Sequence, residues 1–313
     1  MNHWQYNSRH ALKDAKQCNN FFQTTAFKDQ SFPIKVPLEF ANLIDKSNPD
    51  DPLLKQVANS HSLIKGLDFN PSPLADEKHS PVNGLIHKYP NRVLLITTRV
   101  CTIHCQYCFR QNFDYASHDA INNWNSIKNY IHQHTDINEV ILSGGDPLSL
   151  SDDKLHWLIS NIEQIPHIKT LRIHSRTLVV TPSRITDQLV KLLNSSKLNV
   201  VVVLHSNHAN ELSGEFVKRI NKLKQVTLLN QSVLLKGVND SVQALSDLSL
   251  RLFDAGVLPY YLHLLDKVSG AEHFLVDDEC AKELHQQLKK NLSGYLVPRL
   301  VRDENGEFKA WIG

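Results

Sequence analysis

Three of the five cysteines of this 313-residue chain lie within eight positions, as Cys101, Cys105 and Cys108 in a C-x3-C-x2-C arrangement. Clustered thiolates of this kind are typical ligands of iron–sulfur clusters, and a [4Fe–4S] cluster normally takes four of them. The other two cysteines, Cys18 and Cys280, stand alone in the sequence and are typical of small buried or half-buried residues. Three clustered thiolates without a fourth therefore predict a [4Fe–4S] cluster with one iron open to a further ligand.

An open iron of this kind suits S-adenosylmethionine (SAM), which can chelate it through its amino and carboxylate groups. An electron from the cluster can then break the sulfonium C–S bond and release a 5′-deoxyadenosyl radical. Two other interpretations of the cysteines remain open. A structural zinc site would take His104 as its fourth ligand, although adjacent side chains such as His104 and Cys105 rarely converge on one tetrahedral ion. A redox pair would use Cys105 and Cys108 and leave Cys101 without a role.

A second candidate site is a glycine turn formed by Ser143, Gly144, Gly145 and Asp146, which follows the apolar run Glu139–Leu142. Two glycines allow backbone N–H groups to approach a ligand closely and allow a positive φ. The same residues also occur in ordinary tight turns between a strand and a helix. Because the turn would lie beside the cysteine loop, we expect its residues to hold the amino group of SAM.

The elements that would position these loops form a regular series from Arg92 onward. Six apolar runs predict β-strands at Val93–Thr97, Glu139–Leu142, Thr170–His174, Val200–His205, Thr227–Leu234 and Leu258–Leu264. Amphipathic stretches between them predict helices near Ala120–His132, Asp152–Gln164, Arg184–Asn194, Gly214–Leu223 and Ala244–Ala255. Repeats of about 30 residues have the size of a βα unit. The series therefore predicts an α/β fold, a partial (β/α)6 TIM-like barrel with its functional residues at the carboxyl ends of the strands. A doubly wound open sheet is the alternative.

Residues 1–85 contain few strand patterns, and the helical spacing at Leu38–Leu43 and Leu53–Val57 predicts a mainly helical N-terminal extension. Residues 86–275 would form the barrel core, and residues 276–313 a C-terminal helix followed by a short segment.

The composition is that of an ordinary globular chain, with 41% hydrophobic residues and a formal net charge of +2. Because no dense basic run is present, we expect neither nucleic acid nor an anionic membrane as a partner. The first ten residues are polar, unlike a signal peptide, and no apolar run is long enough to span a bilayer. An odd number of cysteines, three of them clustered, does not suit a disulfide framework. We therefore expect a cytoplasmic protein in a reducing environment.

Beyond these motifs, the sequence resembles the lysine 2,3-aminomutases of the radical SAM superfamily, from about Pro33 to Lys309. It is most similar to their short EpmB type, which makes (R)-β-lysine for attachment to translation elongation factor P. The segments that carry the resemblance are Asn48–Val57, His87–Arg92, Cys108–Arg110, Ser143–Leu148, Leu171–Arg176, His205–His208, Asn230–Asp240, Tyr260–Asp266 and Gly294–Arg299. The resemblance implies a radical SAM isomerase that acts on L-lysine with a [4Fe–4S] cluster, SAM and pyridoxal 5′-phosphate (PLP).

The resemblance also implies roles for individual residues. Lys309 falls where the family holds PLP on a lysine. The amine of such a lysine must be unprotonated and partly desolvated. The alternative for a lone lysine near a C-terminus is a solvated surface residue. Arg92 matches the arginine that meets the PLP phosphate, which suits a planar guanidinium, and Tyr89 would lie in the same pocket. His205 and Gln231, at predicted strand ends, would contact SAM or be structural.

Arg110 matches the family's arginine for the substrate carboxylate, and Asp266 and Asp303 match the two carboxylates that hold the ε-ammonium of lysine. Surface ion pairs of little energetic value are the alternative for each. The implied partners are a reductase or flavodoxin-like electron donor, elongation factor P and its lysyl ligase. Three other functions remain open. The protein could be an aminomutase for another amino acid, an enzyme that consumes SAM, or a non-catalytic zinc module. If the amino acid were glutamate, the two aspartates would repel its side chain.

Overall fold

The fold is built on one sheet of nine strands that lie beside one another in chain order. Their bounds are β1 Leu85–Tyr89, β2 Arg92–Ile96, β3 Glu139–Ser143, β4 Thr170–Ser175, β5 Asn199–His205, β6 Thr227–Val233, β7 Leu258–His263, β8 Arg299–Arg302 and β9 Ala310–Trp311. Strands β2 to β8 are parallel, and β1 and β9 pair antiparallel at the two ends of the series. This computed structural model describes residues 3–30, 32–59, 68–74, 76–113, 118–303 and 309–312.

The α-helices of the described ranges are α1 His3–Arg9, α2 Ala15–Phe22, α3 Leu38–Ala41, α4 Pro52–Lys55, α5 Trp124–Gln133, α6 Asp152–Ile162, α7 Thr177–Val180, α8 Asp187–Asn194, α9 Gly214–Ile220, α10 Val242–Asp254 and α11 Asp278–Asn291. Four helices between parallel strands begin at a hydroxyl residue, because its oxygen accepts a free backbone N–H of the first turn. Ser151, Thr186, Ser213 and Ser241 cap α6, α8, α9 and α10 in this way. None of the helices in these ranges has the length and apolar character that crossing a membrane requires.

The parallel strands bury one face against the helices and line the interior with the other. In β4, Leu171 and Ile173 belong to the main apolar core together with helix residues such as Leu155. Arg172 and His174 line the interior instead. Successive side chains of a strand point to opposite faces, so this alternation places polar groups inside. Strand β4 therefore contributes polar groups to the interior cavity.

All six predicted strands are present with small shifts of their ends, and the predicted partial barrel is confirmed. The doubly wound alternative is wrong, because the strand order in space follows the chain without a switch point. Strands β1, β8 and β9 were not predicted. Strand β8 has only four residues, two of them arginines, and β9 has two, so neither produces an apolar run that identifies a strand.

The N-terminal extension is mainly helical, as predicted, and has an apolar core of its own. Phe22, Phe40 and Leu53 are buried there, and the same core includes Ile103 and Val180 from the barrel. Each large apolar side chain contributes roughly 1.5–3 kcal/mol when buried. These contacts therefore attach the extension to the loop that contains Ile103, which also carries the three clustered cysteines. The boundaries predicted for the three parts of the chain stay predictions.

Candidate active site

A cavity of about 790 Å³ occupies the interior of the partial barrel. It is lined by every residue to which the sequence assigned a role: Tyr89, Arg92, Cys101, Cys105, Cys108, Arg110, Ser143, Gly144, Gly145, Asp146, His205, Gln231, Asp266, Asp303 and Lys309. The cavity extends from Arg92, at the start of β2, to His205, at the end of β5. The fold therefore brings residues from distant parts of the chain into one compartment, while the role of each stays a prediction.

The cysteine loop follows β2, as predicted, and its three thiols face this cavity. Burial raises the pKa of Cys101 well above its ordinary value, and the neighbouring Cys108 raises it further. Burial also raises the pKa of Cys108 to about 11, with Cys105 as the next cause. The three sulfur atoms are therefore close enough for their charges to interact, and a metal that binds them has to displace their protons.

Contacts with the N-terminal extension fix the shape of the cysteine loop. The backbone N–H of His104 donates to the Lys35 carbonyl over 2.9 Å, and the Lys35 ammonium donates to the Cys101 carbonyl over 2.6 Å. Farther along the loop, the N–H of Gln106 donates to the Gln56 carbonyl over 3.0 Å. The N-terminal extension therefore holds the cysteine loop between Cys101 and Gln106 through two backbone hydrogen bonds and one from the Lys35 side chain.

The imidazole of His104 is bound to the N-terminal extension. Its Nδ1 lies 2.8 Å from the Pro33 carbonyl oxygen, to which it can only donate. Among the residues that the structure describes, no three His, Cys, Asp or Glu side chains surround one point as a single metal ion requires. A [4Fe–4S] cluster binds its thiolates through different irons and keeps the sulfur atoms farther apart.

The glycine turn after β3 packs directly on the start of the cysteine loop. Gly144 has a φ of +122°, and a Cβ atom there would lie 2.6 Å from the Thr98 carbonyl oxygen. A Cβ atom on Gly145 would lie 2.6 Å from the Val100 carbonyl oxygen, and the Gly145 N–H donates to Thr98. The close approach of two protein loops therefore requires both glycines. The sequence had left open a close approach of a ligand and an ordinary tight turn, and contact of this turn with SAM stays a prediction.

The carboxylate of Asp146, at the end of this turn, is buried and binds the residues that follow β4. It accepts hydrogen bonds from the Ser175 hydroxyl and from the backbone N–H groups of Arg176 and Thr177, each over 2.8 Å. Burial raises its pKa, and these hydrogen bonds oppose the shift. Asp146 therefore joins the ends of β3 and β4, a positioning role that the sequence did not predict.

His205 and Gln231 lie opposite each other in the register of β5 and β6. Nε2 of His205 lies 3.2 Å from the hydroxyl of Tyr107, a residue of the cysteine loop. Burial, followed by the charge of Arg176, lowers the pKa of His205 well below its ordinary value. The imidazole is therefore neutral at pH 7, with one nitrogen that donates and one that accepts.

Lys309 lies half-buried among polar groups of the cavity. Its ammonium nitrogen lies 3.0 Å from Oδ2 of Asp303, 3.3 Å from Nε2 of His263 and 4.6 Å from the ring centroid of Tyr261. Its backbone N–H donates to the hydroxyl of Tyr89 over 2.9 Å. Burial lowers the pKa of Lys309, and the Asp303 carboxylate opposes the shift. This lysine is therefore easier to deprotonate than one in water.

Asp303, which the sequence assigned to the substrate, pairs with Lys309 in this structure. Burial acts to raise the pKa of Asp303, but the hydrogen bond with His263 and the charge of Lys309 lower it overall. Burial and then the charge of Asp303 raise the pKa of Asp266, the other predicted substrate carboxylate, to about 7. Asp303 is therefore ionised and paired with Lys309, while Asp266 titrates near neutrality.

Two arginines that the sequence assigned to anionic ligands have partners within the protein. Arg110 donates from Nε to Asp76 over 2.8 Å and from Nη1 to the Ser143 hydroxyl over 3.2 Å. The Arg92 guanidinium stacks on Tyr89, with 3.7 Å between Cζ and the ring centroid. Asp76 was not predicted, because it precedes the barrel in the chain and no motif marks it.

Other residues of the cavity were also not predicted, among them Tyr261, His263, Arg172 and His174. Arg172 donates to both carboxylate oxygens of Glu139, over 2.6 and 2.7 Å. Burial, followed by the charge of Arg172, lowers the pKa of His174 well below its ordinary value. A signal for both residues exists in the sequence, because polar residues at alternate positions of β4 interrupt an otherwise apolar strand.

The chain is similar to known proteins over most of its length. Residues 95–247 match the family model of the Radical SAM superfamily. The chain is 49% identical to the L-lysine 2,3-aminomutase of Escherichia coli (strain K12) over 280 residues, which cover 88% of this chain and 82% of that protein. It is 46% identical to the enzyme of the same name from Haemophilus influenzae over 293 residues, with 92% and 86% covered. It is 34% identical to that from Clostridium subterminale over 317 residues, with 97% and 76% covered.

Proposed function

The chain belongs to the lysine 2,3-aminomutase family of the radical SAM superfamily, and on this premise we propose that it converts L-α-lysine to (R)-β-lysine. It is an enzyme of the aminomutase type, an isomerase. Membership of the family implies a [4Fe–4S] cluster, SAM and PLP as cofactors. The observation that supports the proposal most directly is that the cysteine loop, Lys309 and Asp266 meet in one cavity.

We assign the cluster to Cys101, Cys105 and Cys108. The residues fit this group because three thiols face the cavity, whereas Cys18 and Cys280 do not line it. One iron would then stay open for SAM. The reduced cluster would supply the electron that cleaves the sulfonium C–S bond of SAM into methionine and a 5′-deoxyadenosyl radical, and the polypeptide would hold the reacting groups in position.

SAM would lie against the glycine turn and the ends of β5 and β6. The residues assigned to it are Ser143, Gly144, Gly145, Asp146, His205 and Gln231. His205 suits this place because its neutral imidazole forms hydrogen bonds without adding charge beside the cluster. Asp146 would act indirectly, because its carboxylate already holds Ser175, Arg176 and Thr177.

We assign PLP to Lys309, with Arg92 at the phosphate and Tyr89 in the same pocket. Burial lowers the pKa of Lys309, which favours the neutral amine that reacts with a carbonyl group. Burial also lowers the pKa of His263, so its imidazole is neutral, and its Nε2, 3.3 Å from the Lys309 nitrogen, can accept a hydrogen bond from the ammonium. When bound, PLP supplies a π system that stabilises an adjacent radical.

Arg110, Asp266 and Asp303 would orient the substrate. The Arg110 guanidinium can bind the α-carboxylate through two parallel hydrogen bonds in exchange for its contact with Asp76. Two neighbouring carboxylates repel each other, which is one cause of the raised pKa of Asp266. A bound ε-ammonium relieves this repulsion, whereas the side chain of glutamate would add to it. This supports lysine over an acidic amino acid as the substrate.

The deciding experiment is an anaerobic assay of the protein reconstituted with iron, sulfide and PLP, supplied with dithionite, SAM and L-lysine. The Cys105→Ala variant should lose iron and β-lysine formation, whereas Cys280→Ala, which changes an exposed cysteine, should keep both. A full cluster and bound PLP without β-lysine would contradict the proposal. A β-amino acid formed only from glutamate or arginine would assign another substrate, and methionine released in each turnover would show that SAM is consumed.

We further propose that the product serves elongation factor P through its lysyl ligase, and that a reductase or flavodoxin-like protein of the cytoplasm supplies the electron. The resemblance to the EpmB type supports this role, and five free thiols suit a reducing compartment. The test is to supply the ligase and elongation factor P with L-lysine or with the product of this enzyme. Intact mass should show more modified elongation factor P with the product, and equal modification would contradict the role.

A further inference from the structure

The imidazole of His174 lies in the wall of the cavity and is not used by the assignments made so far. His174 belongs to β4, where it lines the cavity while the residues on either side of it, Ile173 and Ser175, are buried. Its Nε2 is buried and has no hydrogen-bond partner in the part of the chain that the structure describes. A buried polar atom without a partner destabilises a fold. Packing alone therefore does not account for a histidine at this position.

His174 is a neighbour of the serine that binds Arg110. Leu142 of β3 pairs with Ile173 of β4 in the parallel register. The residues that follow them, Ser143 and His174, are therefore also neighbours, on strands about 4.8 Å apart, and both line the cavity. The Ser143 hydroxyl accepts a hydrogen bond from Nη1 of Arg110 over 3.2 Å. The imidazole and the Arg110 guanidinium therefore border the same part of the cavity.

The charges that act most strongly on His174 are positive. After burial, the causes that lower its pKa are the charges of Arg172, Lys309 and Arg110, in this order. The imidazole is therefore neutral at pH 7 and carries one N–H donor. An anionic group meets more favourable charges beside His174 than the ammonium end of lysine does.

We propose, on the basis of the substrate site proposed above, that His174 is a specificity-determining residue that donates a hydrogen bond to the α-carboxylate of the substrate beside Arg110. A carboxylate offers about four acceptor sites, and a guanidinium in parallel contact occupies two of them, so an imidazole N–H finds an acceptor. A half-turn of the ring exchanges the places of its two nitrogens, so either of them can face the cavity. The contact selects an amino acid over the corresponding amine, which has no carboxylate.

The test compares the binding of L-lysine with that of cadaverine, which is lysine without its carboxylate. Both compounds are titrated anaerobically into the protein reconstituted with iron, sulfide and PLP, in the absence of SAM so that no turnover occurs. Their amino groups react with PLP, and the change in its absorbance gives a half-saturating concentration for each compound. In His174→Ala this concentration should rise about tenfold for lysine, as expected when one hydrogen bond to a charged group is lost, and it should stay unchanged for cadaverine.

Two other variants serve as references. Arg110→Gln should also lose its preference for lysine, which shows that the assay detects contacts with the carboxylate. His285→Gln is the matched control, because His285 is a buried histidine whose Nδ1 has no partner among the described residues. Its Nε2 lies 2.8 Å from the Pro298 carbonyl oxygen, and it does not line the cavity. This variant should bind both compounds as the wild type does.

A weaker affinity for lysine with an unchanged affinity for cadaverine supports the proposal, because a purely structural role would weaken both. Equal weakening of both compounds would show that His174 acts on PLP or on the amino groups, and an unchanged affinity for both would show that it does not bind the carboxylate. Either result overturns the proposal. If His174→Ala does not retain its cofactors, His174→Phe, which keeps a ring but has no N–H, decides by the same comparison.

The wild type separates a failure of this proposal from a failure of the proposed function. A wild-type protein that binds PLP but does not prefer lysine to cadaverine contradicts the substrate site itself. A wild-type preference for lysine that the His174 variants retain contradicts only the role of His174.

Discussion

The ion pair between Lys309 and Asp303 should control how readily the lysine reacts with a carbonyl group. The Lys309 nitrogen lies 3.0 Å from Oδ2 of Asp303, and only 20% and 17% of the two side chains are exposed. An opposite charge this close shifts a pKa by about 1–3 units. Asp303→Asn removes the charge and keeps the shape of the side chain. We therefore expect the pKa of Lys309 to fall by at least about one unit.

The expected consequence is faster loading of PLP. At a pH below both pKa values, a fall of one unit gives about ten times more neutral amine, which is the form that reacts. Loading of the cofactor-free protein at pH 7 should therefore be about tenfold faster in Asp303→Asn, and the midpoint of the rate-against-pH curve should move to lower pH. Stopped-flow absorbance measures both quantities. Asp266→Asn is the matched control, because Asp266 raises the pKa of Lys309 less than Asp303 does, so its shift should have the same direction and be smaller.

A midpoint that stays in place or moves to higher pH in Asp303→Asn would refute this account of the ion pair. Lys309→Ala serves as the reference for the signal and should lose the absorbance of lysine-bound PLP while its iron content stays the same. Absorbance that persists in Lys309→Ala would show that another lysine holds PLP.

Three further predictions follow from the geometry. Gly144→Ala should destabilise the protein by about 1–3 kcal/mol and reduce iron uptake, because its Cβ would lie 2.6 Å from the Thr98 carbonyl oxygen. Urea unfolding measures the stability, and iron analysis measures the uptake. Gly294→Ala is the control and should be tolerated, because a Cβ atom there would have no atom within 4 Å. Asp266→Asn should raise the KM for lysine about tenfold or more, because a hydrogen bond to a charged group contributes about 1.5–3 kcal/mol. Steady-state assays measure this, and an unchanged KM would show that Asp266 does not bind the substrate. Burial raises the pKa of Asp266 to about 7 in the folded protein, above about 3.9 in the unfolded chain, so the wild type loses stability as pH rises between these values. Cofactor-free Asp266→Asn should therefore be more stable than the wild type at pH 8 but not at pH 4, and equal denaturation midpoints at pH 8 would contradict this.

The cysteine loop and the six core strands could be predicted because their signals are local. The spacing of three cysteines and a short apolar run such as Val200–His205 are visible within a few residues. Resemblance to a family added Lys309, Arg110 and the two aspartates, which spacing alone does not identify. Spacing and resemblance together therefore indicated the residues assigned to the cofactors and the substrate, but not neighbours such as His263 and Asp76.

The contacts between these residues could not be predicted, because they join distant parts of the chain. Asp146 holds Ser175 and Thr177, which follow it by 29 and 31 positions, and no pattern in the sequence states that its carboxylate is used up in this way. Gly144 is a related case. A positive φ and a small side chain serve the close approach of a ligand or of another loop equally well, and the fold shows that the loop at Thr98 is one such neighbour.

The gap in the partial barrel lies beside the residues assigned to PLP. Within the described ranges, β1 and β9 do not pair with each other. Two contacts join the neighbouring segments instead. The backbone N–H of Lys309, just before β9, donates to the Tyr89 hydroxyl of β1 over 2.9 Å, and Lys88 of β1 lies 4.0 Å from Asp303, just after β8. A hydrogen bond and an ion pair of this kind each contribute about 1 kcal/mol or less, whereas parallel strands such as β2, β3 and β4 are joined by ladders of several residues. Within the described ranges, this edge of the wall is therefore held by two individual contacts, whereas the parallel strands beside the cysteine loop are held by backbone ladders.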